Sequence, residues 1–157
     1  MNIQSQRITP FLWFDHQAEE AANFYTSIFK NSKISMLTRY GDAGPGPKGS
    51  VQTIAFELEG QKFTALNGGP HFKFTEAVSF VVHCESQEEV DYFWKRLTDG
   101  GQEVQCGWLQ DKYGLSWQVV PSVLFRLLEN PDSAKVQRVM QAMFKMKKLD
   151  IAGLENA

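Results

Sequence analysis

The chain has 157 residues, of which 43% are hydrophobic and 22% charged, a composition typical of a globular protein with one domain or two small modules. Sixteen basic and 18 acidic residues leave a net charge of −2, which excludes the basic surplus of a nucleic-acid-binding protein. No apolar run is long enough to span a membrane, and the first seven residues contain no apolar signal segment. The two cysteines form no disulfide framework, so we expect a cytoplasmic protein.

The first part of the chain shows the pattern of one strand, one helix and three further strands. A β-branched and aromatic run at 8–14 predicts the first strand. The apolar residues Ala21, Phe24 and Ile28 share one helical face, and Glu19 and Glu20 ahead of them favour a helix N-terminus. The next strands are predicted at 34–40, 51–58 and 62–66, with a tight hairpin at Glu59-Gly60.

The same pattern occurs a second time. Glu88-Glu89 and Phe93-Trp94 match Glu19-Glu20 and Phe24-Tyr25 at one constant offset. Ser86 is the predicted N-cap of the second helix, with Glu89 completing a capping box. The strands of this half are predicted at 77–84, around Val104, at 107–110 and at 115–120, with a turn at 111–114. The order β-α-β-β-β therefore occurs twice.

The chain divides into four predicted segments. We expect a first βαβββ module at 1–66, a connector at 67–76, a second module at 77–121 and a C-terminal helical extension at 122–157. The extension carries an apolar helical stripe, formed by Val136, Val139, Met140, Met143 and Phe144. A surface this apolar must pack on its own sheet or on a second subunit, and we expect it to help bury a homodimer interface.

One helix covers only one face of a four-stranded sheet, so two such modules would form a concave cup suited to a small molecule. Helix–sheet packing accounts for seven aromatic residues: Phe11, Trp13, Phe24, Tyr25, Phe93, Trp94 and Trp117. Four others, Phe14, Phe72, Phe74 and Trp108, are less obviously required for that packing. Together with the amides of Asn67 and Gln118, they would suit a flat organic ligand.

Side chains with chemical potential are few. Ser79 and His83 share one strand face, and Cys106 lies beside Trp108 without a visible base that would lower its pKa. The predicted ligand-binding residues are Phe14, Asn67, Ser79, His83, Cys106, Trp108 and Gln118, and no catalytic residue is assigned. The glycine-rich segment 41–49 precedes a strand and lacks the Gly-Lys-Ser/Thr of a phosphate loop, so we interpret it as a hairpin loop that could act as a lid over the cup.

Three motifs carry a family resemblance: Ile8–Asp15, Ala65–Pro70 and Cys106–Gln118. Over residues 7–125 the chain resembles the PhnB-like family of the vicinal oxygen chelate superfamily, which includes glyoxalase I, bleomycin and fosfomycin resistance proteins and extradiol dioxygenases. Members are often labelled 3-demethylubiquinone 3-methyltransferase-like. The resemblance implies an α+β fold of paired βαβββ modules, the glyoxalase/bleomycin resistance fold, commonly assembled as homodimers.

The resemblance also implies metal positions on the first and last strands of each module. In this sequence those positions carry Ile8 or Pro10, Leu66 or Asn67, Ala77 or Ser79, and Gln118. A zinc or nickel site needs imidazole and carboxylate ligands, so we predict no metal and no cofactor. The sequence also lacks a strand followed by a glycine-rich helix start, which counts against a methyltransferase mechanism.

Three functions remain open at this stage. The first is binding of a small organic ligand in the cup, without the superfamily's metal. The alternative is an enzyme, a lyase, isomerase or transferase acting on a small oxygen-rich substrate through Cys106, His83 or a displaced metal site. The third is a structural dimer in which the apolar extension matters most.

Overall fold

The structure is a computed structural model that describes residues 6–157. Residues 1–5, which belong to the first predicted module and to the segment without an apolar signal, lie outside the described residues. The chain divides into two compact units, the first ending at Lys73 and the second running Phe74–Ala157. The division falls within the predicted connector 67–76, and the predicted C-terminal extension belongs to the second unit.

Unit one is a βαβββ module. Its elements are β1 (Phe11–Phe14), α1 (Ala18–Ile28), β2 (Lys33–Arg39), β3 (Val51–Leu58) and β4 (Gln61–Asn67). The sheet order is β1-β4-β3-β2, in which β1 lies parallel to β4 and the other neighbours are antiparallel. Glu59 and Gly60 have φ values of 51° and 84°, the positive angles that a tight hairpin requires, so the predicted hairpin is confirmed.

Unit two repeats this topology. Its module contains β5 (Ser79–Cys84), α2 (Gln87–Thr98), β6 (Gln102–Glu103), β7 (Trp108–Gln110) and β8 (Ser116–Pro121), in the sheet order β5-β8-β7-β6. Ser86 Oγ accepts a hydrogen bond from the backbone N–H of Glu89 at 3.2 Å, which confirms the predicted cap. The short strand predicted around Val104 is β6, which ends one residue earlier, at Glu103; the N–H of Val104 continues its pairing with β7 by donating to the carbonyl of Trp108 at 2.9 Å.

The core of unit one lies between α1 and the sheet. Tyr25 of α1 stacks on Phe56 of β3 at 6.2 Å between ring centroids, and Phe56 stacks on Phe63 of β4 at 5.3 Å. All three side chains are buried, and burying each stabilises the fold by about 2 kcal/mol. The assignment of Phe11 to helix packing is wrong: Phe11 is 59% exposed, because strand alternation turns it away from α1.

The C-terminal extension forms three helices, α3 (Ser122–Leu128), α4 (Ser133–Phe144) and α5 (Ile151–Glu155). Its apolar side chains pack against the end of β8 in a cluster that contains Val120, Leu124, Val139, Leu149 and Leu154. The carbonyls of Met146 and Lys147 accept hydrogen bonds from the N–H groups of Cys106 and Gly107, both at 2.8 Å. Of the two alternatives, the extension therefore packs on its own unit. A contribution to a dimer interface stays a prediction.

The helices are short. The longest, α2 and α4, have 12 residues each. Within residues 6–157, no helix combines the length and hydrophobicity that crossing a bilayer requires.

Two βαβββ modules followed by helices confirm the α+β fold predicted from the sequence.

Candidate functional site

Three of the predicted ligand-binding residues meet on the face of the second sheet that is turned away from α2. The strand register places Gln118 of β8 between Val81 of β5 and Trp108 of β7. Gln118 Nε2 donates a hydrogen bond to Ser79 Oγ at 2.9 Å. Val81 is 40% exposed, and Trp108 and Gln118 are half-buried. We call Ser79, Val81, Trp108 and Gln118 the Gln118 face; it offers an aromatic ring, an aliphatic patch and two hydrogen-bonding groups.

The Gln118 face has a polar border on one side. Gln110 of β7 donates from Nε2 to Glu76 Oε1 at 2.8 Å. Ser116, which the register places between Ser79 and Gln110, is 1% exposed, and its Oγ has no hydrogen-bond partner among residues 6–157. The border therefore combines one satisfied polar pair with one hydroxyl that could still donate or accept.

His83 lies at the other end of this face. Alternation along β5 puts it on the same side as Ser79 and Val81, but its ring lies 5.5 Å from the ring of Phe125 in α3. His83 therefore borders the C-terminal extension.

Cys84, the next residue along β5, points into the helix–sheet core and is fully buried. This burial and the nearby Glu89 and Glu85 carboxylates raise the pKa of its thiol to about 12.

Cys106 occupies a turn. Its φ of 60° is the left-handed conformation, which is uncommon for any residue other than glycine. Its backbone N–H donates to the Met146 carbonyl at 2.8 Å, so the extension holds this turn in place. The structure thus gives Cys106 a position between β6 and β7, half-buried, next to the strand that carries Trp108.

Phe14 and Asn67 lie on the helix-facing side of the first sheet, where they pair with each other at the ends of β1 and β4. Phe14 is 2% exposed and belongs to the core. Asn67 Oδ1 accepts a hydrogen bond from the N–H of Ala18 at 2.8 Å, and Asn67 Nδ2 donates to the carbonyl of Val51 at 3.1 Å. Asn67 thereby connects β4 to α1 and β3.

A cavity of about 460 Å³ adjoins Asn67 within unit one. We call it the Asn67 cavity; its walls come from the β1–α1 loop, the glycine-rich β2–β3 loop and the connector after β4. It is lined by Asp15, His16, Glu19, Tyr40, Pro45, Gly46, Pro47, Ser50, Val51, Asn67, Gly68, Gly69, Pro70 and His71. Sequence reasoning missed this cavity, although the glycines that follow Tyr40 and Asn67 were its visible signal.

The β2–β3 loop folds against Tyr40. The Tyr40 side chain is 5% exposed, and its OH donates to the Asn67 carbonyl at 2.6 Å. A Cβ on Gly46 would overlap the Tyr40 ring, so only glycine allows this close approach. Lys48 Nζ pairs with Asp42 Oδ1 at 2.8 Å. The loop therefore forms one wall of the Asn67 cavity.

The side chains at the superfamily's metal positions do not fit a divalent cation. Asn67 uses both ends of its amide within the protein, and Gln118 holds Ser79. Residues 6–157 contain no group of three His, Cys, Asp or Glu side chains placed to hold a metal. An amide oxygen without imidazole or carboxylate partners is a poor site for a transition metal.

A family model and a solved structure that match this chain carry the same family description. The model of the family described as 3-demethylubiquinone-9 3-methyltransferase matches residues 6–120. A PhnB protein from Bacillus cereus, which carries the same methyltransferase name, is 41% identical, with a TM-score of 0.69 over 74% of this chain and 100% of its own. The extension after residue 120 lies outside the family match.

Two further solved structures share the fold. Protein PA1353 from Pseudomonas aeruginosa is 20% identical, with a TM-score of 0.62 over 74% of this chain and 98% of its own. The fosfomycin resistance protein FosX from Listeria monocytogenes, solved with Mn(II) and a sulfate ion, is 17% identical, with a TM-score of 0.55 over 80% of this chain and 96% of its own. No curated protein matches the chain significantly.

Proposed function

The chain belongs to the 3-demethylubiquinone-9 3-methyltransferase family, a PhnB-like group of the vicinal oxygen chelate superfamily, and on this premise we propose that it binds a small organic ligand without the superfamily's metal. The ligand would lie on the Gln118 face. A single observation carries the proposal: Gln118 is hydrogen-bonded to Ser79 beside a half-buried Trp108, at a position where the superfamily's enzymes carry a metal ligand.

The chemistry of the Gln118 face suits a flat ligand with at least one polar group. Trp108 supplies a ring for stacking, which contributes about 1 kcal/mol beyond the burial of its surface. Gln118 keeps its carbonyl oxygen available while its amide nitrogen is bonded to Ser79. Small-molecule sites combine this kind of apolar surface with a few fixed polar groups.

The methyltransferase part of the family name finds no support in the local structure of the two modules. A cofactor site of the doubly wound type needs a glycine-rich turn between a strand and a helix. The β1–α1 loop is Asp15-His16-Gln17 and the β5–α2 loop is Glu85-Ser86, so neither contains glycine. We therefore propose binding rather than methyl transfer.

Mass spectrometry of the purified protein tests this proposal. Native and denaturing spectra of the same sample are compared, and any mass lost on denaturation is fragmented to identify it. We expect an organic molecule, or, if the protein is purified empty, saturable binding of the aromatic dye anilinonaphthalene sulfonate. One divalent ion per subunit, retained through dialysis against a chelator, would contradict the metal-free proposal.

Two variants locate the site. Trp108→Ala removes the stacking surface and Gln118→Ala removes the polar anchor, and each should weaken binding by about tenfold. Gln102→Ala, at an exposed glutamine of the edge strand β6, is the control and should bind like the wild type. Equal binding by all three variants would place the ligand elsewhere.

We also propose that the protein forms a homodimer in which a second copy covers the uncovered face of the first sheet. The register places Phe11, Thr64, Ala55 and Met36 in one row across this sheet. Phe11 and Met36 are 59% and 61% exposed in the single chain, and exposed apolar surface of this kind favours association.

Light scattering measures the subunit number directly. Met36→Asp should shift a dimer to monomer, because burying a carboxylate in an apolar interface is costly. Lys30→Asp, at an exposed position after α1, should leave the dimer intact. A monomeric wild-type protein would overturn this part of the proposal.

A further inference from the structure

We propose that the Asn67 cavity is a second binding site, one that takes a small organic molecule bearing a protonated amine. This inference concerns unit one alone and does not depend on the proposed function, which concerns the Gln118 face of unit two. The cavity measures about 460 Å³, within the range of sites that hold metabolite-sized ligands.

The repeat shows what occupies the equivalent place in unit two. Asn67 and Pro121 hold the same position, since each ends the last strand of its module and pairs with the last residue of the first strand, Phe14 or Cys84. In unit one, the residues around this position line the Asn67 cavity. In unit two, the corresponding space at the end of the sheet is filled by the chain itself.

Three hydrogen bonds between this region and the C-terminal extension establish that filling. At the start of α2, the Gln87 side chain donates to the Leu149 carbonyl at 3.1 Å and accepts from the Ile151 N–H at 2.8 Å. Before β7, Gly107 donates to the Lys147 carbonyl at 2.8 Å. In unit two the C-terminal extension therefore packs at this end of the sheet, and in unit one the same end borders the Asn67 cavity, which is partly open to solvent.

The lining of the Asn67 cavity selects the charge of the ligand. Asp15 and Glu19 line it together with His16 and His71, whereas no lysine or arginine does, and Asp15 Oδ2 lies 3.6 Å from His16 Nδ1. Lys48 of the glycine-rich β2–β3 loop is paired with Asp42. A wall with two carboxylates and no fixed positive charge attracts a cation.

The remaining lining residues favour a ligand with an apolar body. Pro45, Pro47, Pro70 and Val51 contribute apolar surface, and Ser50 contributes a hydroxyl. An inorganic cation would gain nothing from this apolar surface, and no three of the lining side chains are placed to hold a metal. The combination fits an ammonium group attached to a short apolar body.

Amide NMR titration with phenethylammonium and its neutral analogue phenylethanol tests the site. We expect phenethylammonium to shift the amide signals of Gly46, Gly68 and Gly69 at millimolar concentration, and phenylethanol to shift them much less. Asp15→Asn and Glu19→Gln should each weaken ammonium binding by about fivefold, the size of one partly exposed charge pair. Added salt should weaken binding of the ammonium alone.

Glu88→Gln is the matched control, because Glu88 holds in the first turn of α2 the position that Glu19 holds in α1. It should leave ammonium binding unchanged, as should Gln118→Ala on the Gln118 face. The proposal is overturned if the three glycine signals do not move, if the alcohol binds as well as the ammonium, or if Glu88→Gln weakens binding as much as Glu19→Gln.

Discussion

Asn67 Oδ1 accepts a hydrogen bond from the backbone N–H of Ala18 at 2.8 Å, so the last residue of β4 caps the first helix of unit one. The residue in the N-cap position, Gln17, makes no side-chain cap of its own. In unit two the cap is local, because Ser86 accepts from Glu89. The two repeats therefore satisfy backbone N–H groups at the start of their helices in different ways: unit one through Asn67 at the end of β4, and unit two through Ser86 just before α2.

Asn67→Ala should destabilise unit one by about 2 kcal/mol, since it removes the cap and leaves the Val51 carbonyl without its donor. Asn67→Asp keeps an acceptor for the Ala18 N–H and places negative charge at a helix N-terminus, so it should cost less. Chemical denaturation followed by circular dichroism measures both. Equal losses for the two variants would show that the contact with Val51, and not the cap, stabilises unit one.

Leu149→Ala tests whether the C-terminal extension is part of the folded core. Leu149 is fully buried in the cluster around Val120 and Leu124, so the truncation should destabilise the protein by about 3 kcal/mol. Phe144→Ala, at a side chain that is 56% exposed, is the control and should cost about 0.5 kcal/mol or less. A neutral Leu149→Ala variant would mean that the extension is not docked in solution.

Asp91 links α2 to the extension in a pH-dependent way. Hydrogen bonds from Lys148 and Gln87 lower the pKa of its carboxyl below the usual 3.8, and Lys148 Nζ lies 2.7 Å from Asp91 Oδ1. A pKa that is lower in the folded state contributes stability above the unfolded value, and this contribution is lost as the pH falls through the folded value.

Asp91→Asn should therefore lower stability at neutral pH, by no more than about 1 kcal/mol because both side chains are partly exposed. Below the lowered pKa the variant and the wild type should converge. A double-mutant cycle with Lys148→Met isolates the pair. A loss of the same size at every pH would assign the effect to something other than the charge.

Cys84 should resist alkylation in the folded protein. Its pKa of about 12 and its complete burial leave almost no accessible thiolate, and the thiolate is the reactive form. Peptide mapping after iodoacetamide treatment should find Cys84 modified only in denaturant, whereas the half-buried Cys106 is modified in the native protein. Rapid labelling of native Cys84 would indicate local opening of β5 or α2.

The repeated βαβββ order was predictable from the sequence because local signals define its elements. Paired glutamates, apolar helical spacing and the Glu59-Gly60 turn act over a few residues. The short strand predicted around Val104 was located only to within a residue, because β6 has only two residues, Gln102–Glu103, too few to show alternation. Ser79 and His83 were predicted to lie on the same side of β5, because successive side chains of a strand alternate between its two faces.

The roles of Phe14 and Asn67 could not be predicted in this way. Which face of β1 packs on α1 depends on the register with β4 and on the helix, and this register puts Phe14 in the core and Phe11 outside. The two hydrogen bonds of Asn67 reach residues 49 and 16 positions away, a distance at which no sequence pattern acts.

Short-range periodicity was sufficient for the two modules and for the presence of a helical extension, and three short motifs carried the family resemblance, because each of these signals lies in neighbouring residues. The packing of that extension on unit two, the Asn67 cavity and the assembly of the Gln118 face needed the folded chain. They arise where segments far apart in sequence meet, and the free energy of such contacts depends on distances that exist only after folding.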